Sequence, residues 1–160
     1  MRNKAEITID INTLLKYDKA GPRYTSYPTA PVWNEEFGPE RFRDKIVETN
    51  RGNDSSPLSL YFHIPFCYSL CFYCGCNSII TKKKGHAGEY ISYLKREMEN
   101  ISRLVNRERK VVQLHWGGGS PDFLSPSEME ELYRYITDNF TIDNNAEAGV
   151  ELAPRETTFE

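Results

Sequence analysis

From Leu58 the chain alternates: Leu58, Leu60, Phe62 and Ile64 are apolar, and Ser59, Tyr61 and His63 between them carry polar groups. A period of two sends successive side chains to opposite faces, so this stretch predicts a strand ending at Pro65. Beyond residue 90 the period lengthens. Ile91, Leu94, Met98, Ile101 and Val105 recur at helical steps and predict a long helix with charged residues on its other side. Val111 to Trp116 predicts a second strand. Ser125-Pro126-Ser127-Glu128 then reads as a capping box with proline at the first helical position, ahead of the stripe Met129, Leu132, Tyr133, Ile136 and Phe140. Ala146 to Ala153 predicts a third strand, with Val150 and Leu152 apolar and Glu151 near its C-terminal end.

Strand, helix, strand, helix, strand is the signature of an α/β fold with a parallel sheet, whose loops after the strand C-termini carry the site. What precedes it is less regular. Leu14, Leu15 and Tyr17 make a short apolar patch that Gly21-Pro22 should stop, and Gly38-Pro39 opens a second helix with Phe42, Ile46 and Val47 on one side. Between them Gly21 to Pro31 holds three prolines and must be largely extended. This arm is either a strap over the surface or a ligand clasp, in which Arg23 would pair with carboxylates while Tyr24 and Tyr27 stack or hydrogen-bond. Residues 51 to 57 are polar and turn-rich, which sets the expected boundary between an N-terminal arm with short helices (1–56) and an α/β unit (57–160).

Composition narrows the classes. With 160 residues, 39% apolar and 12% aromatic, the chain can build a core. A net charge of −3 and no long basic face give no support for nucleic-acid binding, and Lys82-Lys83-Lys84 reads as a solvated loop. No apolar run approaches a membrane span, and the first residues, Met-Arg-Asn-Lys-Ala-Glu, hold no signal peptide. The expected compartment is therefore the cytoplasm.

The chemistry is concentrated in Tyr61 to Asn77, which contains all four cysteines, Cys67, Cys71, Cys74 and Cys76. A reducing compartment disfavours disulfides. Zinc sites usually pair two short knuckles across a longer spacer; no second knuckle exists here, and His63, His86 and His115 are scattered. The Cys-x-x-x-Cys-x-x-Cys spacing instead offers three thiolates to a four-iron cube and leaves one iron open, with zinc as the alternative. Gly117-Gly118-Gly119-Ser120 follows the second strand; it would let a ligand approach the backbone, although glycine runs also end strands where nothing binds. It matches neither a P-loop nor a dinucleotide fingerprint. Glu151 is either a solvated acid or an acceptor for an amine or ribose. Cysteines, glycines and Glu151 all fall on one predicted sheet edge.

The cysteine spacing, with aromatic Tyr73 before Cys74, resembles that of the radical S-adenosylmethionine enzymes. Together with Gly-Pro-Arg-Tyr-Thr-Ser-Tyr-Pro-Thr, Tyr-Phe-His-Ile-Pro-Phe-Cys, His-Trp-Gly-Gly-Gly-Ser-Pro and Glu-Leu-Ala-Pro-Arg-Glu, it closely resembles the oxygen-independent coproporphyrinogen III oxidase family. The resemblance implies a [4Fe-4S] cluster on Cys67, Cys71 and Cys74, with Cys76 needed for activity but not a ligand. It implies that Tyr61, Gly118 and Glu151 contact cluster-bound S-adenosylmethionine. Tyr73, usually phenylalanine, and Gly119 with Ser120, usually threonine, would approach a second S-adenosylmethionine. It also moves Arg23, Tyr24 and Tyr27 into the substrate site. Ala153 departs from the family, which usually has aspartate there.

The implied reaction is oxidative decarboxylation of two propionates of coproporphyrinogen III to vinyl groups, in haem biosynthesis, by an adenosyl radical. An electron donor such as flavodoxin or ferredoxin would serve it, and a full-length protein is expected to be a monomer. The related haem chaperone usually lacks both the arm and the fourth cysteine. The family has a partial (β/α) barrel followed by a further domain, so 160 residues would cover roughly the first three βα units of a truncated barrel. A chain of that extent is expected to fold poorly and to be inactive alone, or to act only as a non-catalytic cluster-binding module.

Overall fold

The computed structural model describes residues 10–18, 32–51 and 56–157. Arg23, Tyr24 and Tyr27, and with them the proline-rich arm, lie outside the described residues. The chain divides into two compact units, Met1–Gly38 and Pro39–Glu160. In the first, helix α1 (Ile11–Tyr17) starts where the Asp10 carboxylate accepts the N–H groups of Asn12 and Thr13, each at 3.2 Å. An acid at that position satisfies donors the helix itself leaves open and faces the positive end of its dipole. The helix ends at Tyr17, ahead of Gly21-Pro22, with the Asp18 N–H bonded back to Leu14 at 2.9 Å.

The second unit opens with α2 (Pro39–Thr49), none of whose residues is buried. Polar anchors follow it. Arg109, itself buried, donates to Ser56 O at 2.9 Å, Thr49 Oγ1 at 2.8 Å and Asn50 Oδ1 at 3.2 Å. These bonds tie Thr49, Asn50 and Ser56, on one side of the expected 56/57 boundary, to Arg109 on the other, and α2 groups with the second unit.

Three strands make the main sheet: β1 (Leu58–Ile64), β4 (Lys110–Gly118) and β5 (Thr141–Val150), parallel, in the order β1-β4-β5. Two more, β2 (Phe66–Cys67) and β3 (Ile79–Ile80), form a separate parallel ladder of two residues each, which the sequence pattern does not announce. The main sheet is open, as expected of part of a barrel. Helices α3 (Gly85–Ser102) and α4 (Pro126–Asn139) are the crossovers that parallel neighbours require. Phe62 and Ile64 of β1, Val111, Leu114 and Trp116 of β4, Ile91, Leu94 and Met98 of α3, and Leu132 and Ile136 of α4 form one buried cluster. Residues of opposite parity in β1, Ser59, Tyr61 and His63, are the more exposed set, as the alternation predicts.

Two boundaries shift. Helix α3 stops at Ser102 rather than reaching Val105, because the chain turns there: the Leu104 and Val105 N–H groups both donate to Ile101 O, and Asn50 Nδ2 donates to Leu104 O at 2.5 Å. Strand β5 begins at Thr141 and ends at Val150, so Glu151 stands just beyond it. Its first pairs are Thr141 and Ile142 with Lys110 and Val111; pairing then resumes only at Glu147 with Gln113. The residues between bulge outward, and Asp143 caps the bulge by accepting the Asn145 N–H at 2.9 Å.

Candidate functional site

The C-terminal ends of β1, β4 and β5 lie side by side, with Ile64 opposite Gly118 and Trp116 opposite Val150. Beyond them run the cysteine loop, the glycine run and Glu151. The glycines are dictated by what surrounds them. Gly118 has φ of +118°, and a Cβ there would stand 2.7 Å from the His63 ring. A Cβ on Gly119 would stand 2.6 Å from Pro65 O and 2.7 Å from Phe66 O. The backbones are zipped at that point: Gly119 N–H donates to Ile64 O and Ser120 N–H to Phe66 O, each at 2.8 Å. Glycine thus lets β4 lie directly against the chain that carries Cys67.

A polar network crosses the strand ends. Tyr61 and His115 are paired in register, and their rings stack at 5.8 Å with 14° between planes. His115 Nε2 lies 3.2 Å from Glu151 Oε1, while Glu151 Oε2 accepts the Gly118 N–H at 3.3 Å. The Glu151 backbone N–H is bonded to Trp116 O at 2.9 Å, which fixes the residue against β4 although the strand has ended. Burial first, and then the charge of Glu151, raise the Tyr61 pKa, so its hydroxyl stays protonated at neutral pH. His63 completes the network. Its Nε2 faces the Asn77 carbonyl at 2.7 Å, which can only accept; in the neutral ring Nδ1 is then free to accept from the Tyr61 hydroxyl at 3.3 Å. His63 therefore links β1 to the far end of the cysteine loop.

All four cysteines are free thiols. Their environments differ. Cys67 is raised by burial and then by the charges of Cys74, Cys71 and Cys76, and Cys76 by burial and then Cys74. Cys74 is lowered, first by the Cys76 backbone N–H and next by Ser78, whose Oγ lies 3.8 Å from its sulfur. A backbone turn, Cys74 N–H to Cys71 O at 3.1 Å, sets the second and third cysteines of the motif on one short arc. Among the described residues no three Cys, His, Asp or Glu side chains meet at a point that would hold a single metal ion. Cys67, Cys71 and Cys74 stand on one loop as soft sulfur donors, the donor type that an iron–sulfur cluster takes on separate irons.

Cys67, Cys71 and Tyr73 line a cleft of about 350 Å³ together with Gly119, Ser120 and Glu151. The segment Leu152–Glu156 also lines it. Tyr61 and Gly118 reach Glu151 through the network; Cys74 and Cys76 stand on the loop outside the cleft lining. Phe72 and Tyr73 are exposed at the loop tip. Three further residues join the site that the sequence reading did not select: His115, Asn77 and Asp122. His115 was legible in principle, since Gln113, His115 and Gly117 alternate on β4 as Ser59, Tyr61 and His63 do on β1. For Asn77 and Asp122, which act from loops, no period exists to read.

No family model matches the chain. Named relatives do. The oxygen-independent coproporphyrinogen III oxidase of Pseudomonas aeruginosa is 43% identical over 149 residues, 92% of this chain and 32% of that protein. That of Synechocystis is 45% identical over 142 residues, 88% of this chain and 30% of that protein. A protein of the same name from Mannheimia haemolytica is 39% identical over 150 residues, 94% of this chain and 99% of its own length. Among solved structures, a coproporphyrinogen III oxidase of Escherichia coli, described as a radical S-adenosylmethionine enzyme, superposes with a TM-score of 0.79 at 38% identity, over 96% of this chain and 33% of that one. The chain thus spans about a third of the length of the Pseudomonas and Synechocystis relatives. With 39% identity across almost the whole Mannheimia protein, and the cysteine, glycine and glutamate segments set around one cleft, the chain belongs to the oxygen-independent coproporphyrinogen III oxidase family.

Proposed function

We propose that this chain supplies the cofactor-binding part of an oxygen-independent coproporphyrinogen III oxidase: an oxidoreductase of haem biosynthesis that converts the two propionates of coproporphyrinogen III to vinyl groups. One observation carries the reading: Cys67 and Cys71, the backbone at Gly119 and the Glu151 carboxylate all line a single cleft at the sheet's C-terminal edge. Cys67, Cys71 and Cys74 would hold a [4Fe-4S] cluster. The cluster and S-adenosylmethionine, when bound, supply reductive cleavage of a carbon–sulfur bond and with it a hydrogen-abstracting radical.

The protein's own part is placement. Glu151, already oriented by His115 and the Gly118 N–H, would accept from the ammonium or ribose of S-adenosylmethionine, with the neutral Tyr61 hydroxyl and the Gly118 backbone alongside. Gly119, Ser120 and Tyr73 would face a second S-adenosylmethionine across the cleft. Cys76, on the same loop but outside the cleft lining, would serve the reaction without binding iron. Arg23, Tyr24 and Tyr27 are the proposed substrate contacts, outside the described residues. A flavodoxin or ferredoxin as donor, a cytoplasmic location and a monomeric full-length protein belong to the same proposal. No helix among the described residues is long and apolar enough to cross a membrane.

The test is anaerobic reconstitution with iron and sulfide, then electron paramagnetic resonance of the reduced protein with and without S-adenosylmethionine. A four-iron signal that changes on adding the cofactor is expected, and Glu151→Gln should keep the signal while weakening the cofactor's Kd by about tenfold. Uptake of zinc without such a cluster would return the cysteine loop to a structural role. Carbon dioxide and vinyl products from coproporphyrinogen III would separate an enzyme from a module that only binds the cofactors.

A further inference from the structure

We propose that Asp122 is a positioning residue that sets the width of the cleft, by tying the glycine turn after β4 to the loop after β5. The inference rests on the reading of that cleft as the S-adenosylmethionine site. Asp122 lies in a short 3-10 turn, Pro121–Phe123, wedged between fully buried Pro121 and Phe123. Its two oxygens point to different segments. Oδ1 accepts the Ser120 hydroxyl; Oδ2 accepts the Ala153 backbone N–H at 3.2 Å and the Thr157 hydroxyl at 2.6 Å. One carboxylate therefore joins two segments of the cleft lining, Gly119–Ser120 and Leu152–Glu156.

Glu151 is tied to β4 by its own bonds to Gly118 N–H and Trp116 O; beyond it, the described side-chain bonds from the β4 side to the 153–157 segment are those of Asp122. The 153–157 segment is a single turn, with the N–H groups of Glu156 and Thr157 both bonded to Ala153 O at 2.9 and 3.1 Å. It contributes no buried apolar side chain to the core. Ala153 brings no acceptor of its own, although it stands where the family resemblance leads one to expect an aspartate. The acceptor comes instead from Asp122, on the facing loop. With its hydroxyl donated to Asp122, the buried Ser120 keeps its oxygen lone pairs as acceptors.

The prediction is a loop effect and an affinity effect without loss of the fold. The full chain, reconstituted anaerobically, is compared with Asp122→Asn, which keeps the shape but accepts at one oxygen only, and with Asp122→Ala. In both, amide hydrogen exchange at Ala153, Glu156 and Thr157 should quicken by about tenfold while amides in β4 keep their protection. The Kd for S-adenosylmethionine should rise by about tenfold, and Asp122→Ala combined with Ala153→Asp should recover part of both. Unchanged exchange at 153–157 in both variants overturns the brace, as does slower exchange everywhere or loss of protection in β4 at the same rate. If the unaltered chain binds no S-adenosylmethionine, the reading of the cleft falls, and the exchange comparison alone decides whether Asp122 holds the two segments together.

Discussion

Gly119 shows how little freedom single positions have at this edge. Its N–H is spent on Ile64 O, and the space its side chain would enter is filled by the carbonyls of Pro65 and Phe66. Those are backbone atoms, which cannot rotate away. Gly119→Ala should therefore cost about 1–3 kcal/mol in urea unfolding and displace Cys67, the residue after Phe66. An alanine variant with unaltered stability would mean that β4 and the β1–β2 connection are not held as closely as this. Gly38, by contrast, has open space where a Cβ would stand, so alanine there meets nothing. The contrast separates a glycine that stands ahead of a helix in open space from one that makes room for the neighbouring chain.

At the scale of the element, α4 states its start in its own residues. Ser125 accepts the Glu128 N–H, and Glu128 accepts the Ser125 N–H at 2.8 Å in return, with Pro126 pre-set for the first turn. Strand β5 has no such clarity. Its bulge depends on Asp143, whose pKa is lowered first by the Asn145 N–H and then by Lys110, 3.1 Å away. A carboxyl depressed on folding stabilises fully above its unfolded pKa and loses that contribution as pH falls through the folded value. The advantage of the native chain over Asp143→Asn should accordingly be present at about pH 5 and vanish toward about pH 2, as read from melting temperatures. An advantage independent of pH would exclude the charge as its source. The bulge also explains why the sequence pattern placed this strand late. Asp143-Asn144-Asn145 reads as a turn between elements, not as a strand interior, so the period of two becomes visible only from Ala146. Strand β1 was legible because its apolar residues keep the more buried face throughout; β4 was legible as an apolar run, its alternation being broken where Val112 and Gln113 are both exposed. The ladder of β2 and β3 was not, since two residues carry no period. The same division holds at the site: Cys67, Cys71, Cys74, Gly118 and Glu151 stand out by type and spacing, whereas Asp122 and Asn77 act through loop geometry that only the fold creates.

For the molecule as a whole, the core is one layer of two crossover helices on three strands, and the candidate cofactors would lie at its edge and not within it. Ligands that bind only the folded chain stabilise it by mass action. Cluster-loaded protein given S-adenosylmethionine at about a hundred times its Kd should gain about 2.7 kcal/mol, a rise of roughly 5–11 °C in Tm. Stripping the iron with a chelator should abolish the rise; a rise that persists without iron would place the cofactor elsewhere. The β2–β3 ladder bears on this in entropic terms. Ile79 N–H to Pro65 O at 2.7 Å and Thr81 N–H to Cys67 O at 2.9 Å close residues 68–78 into a ring before any iron arrives. Most of the loop-closure entropy is thus already lost on folding, and binding a cluster has only the ring's tip left to order. Lengthening that tip by a residue would change the closure term little, whereas opening the two-bond stem would set Cys71, Cys74 and Cys76 loose together.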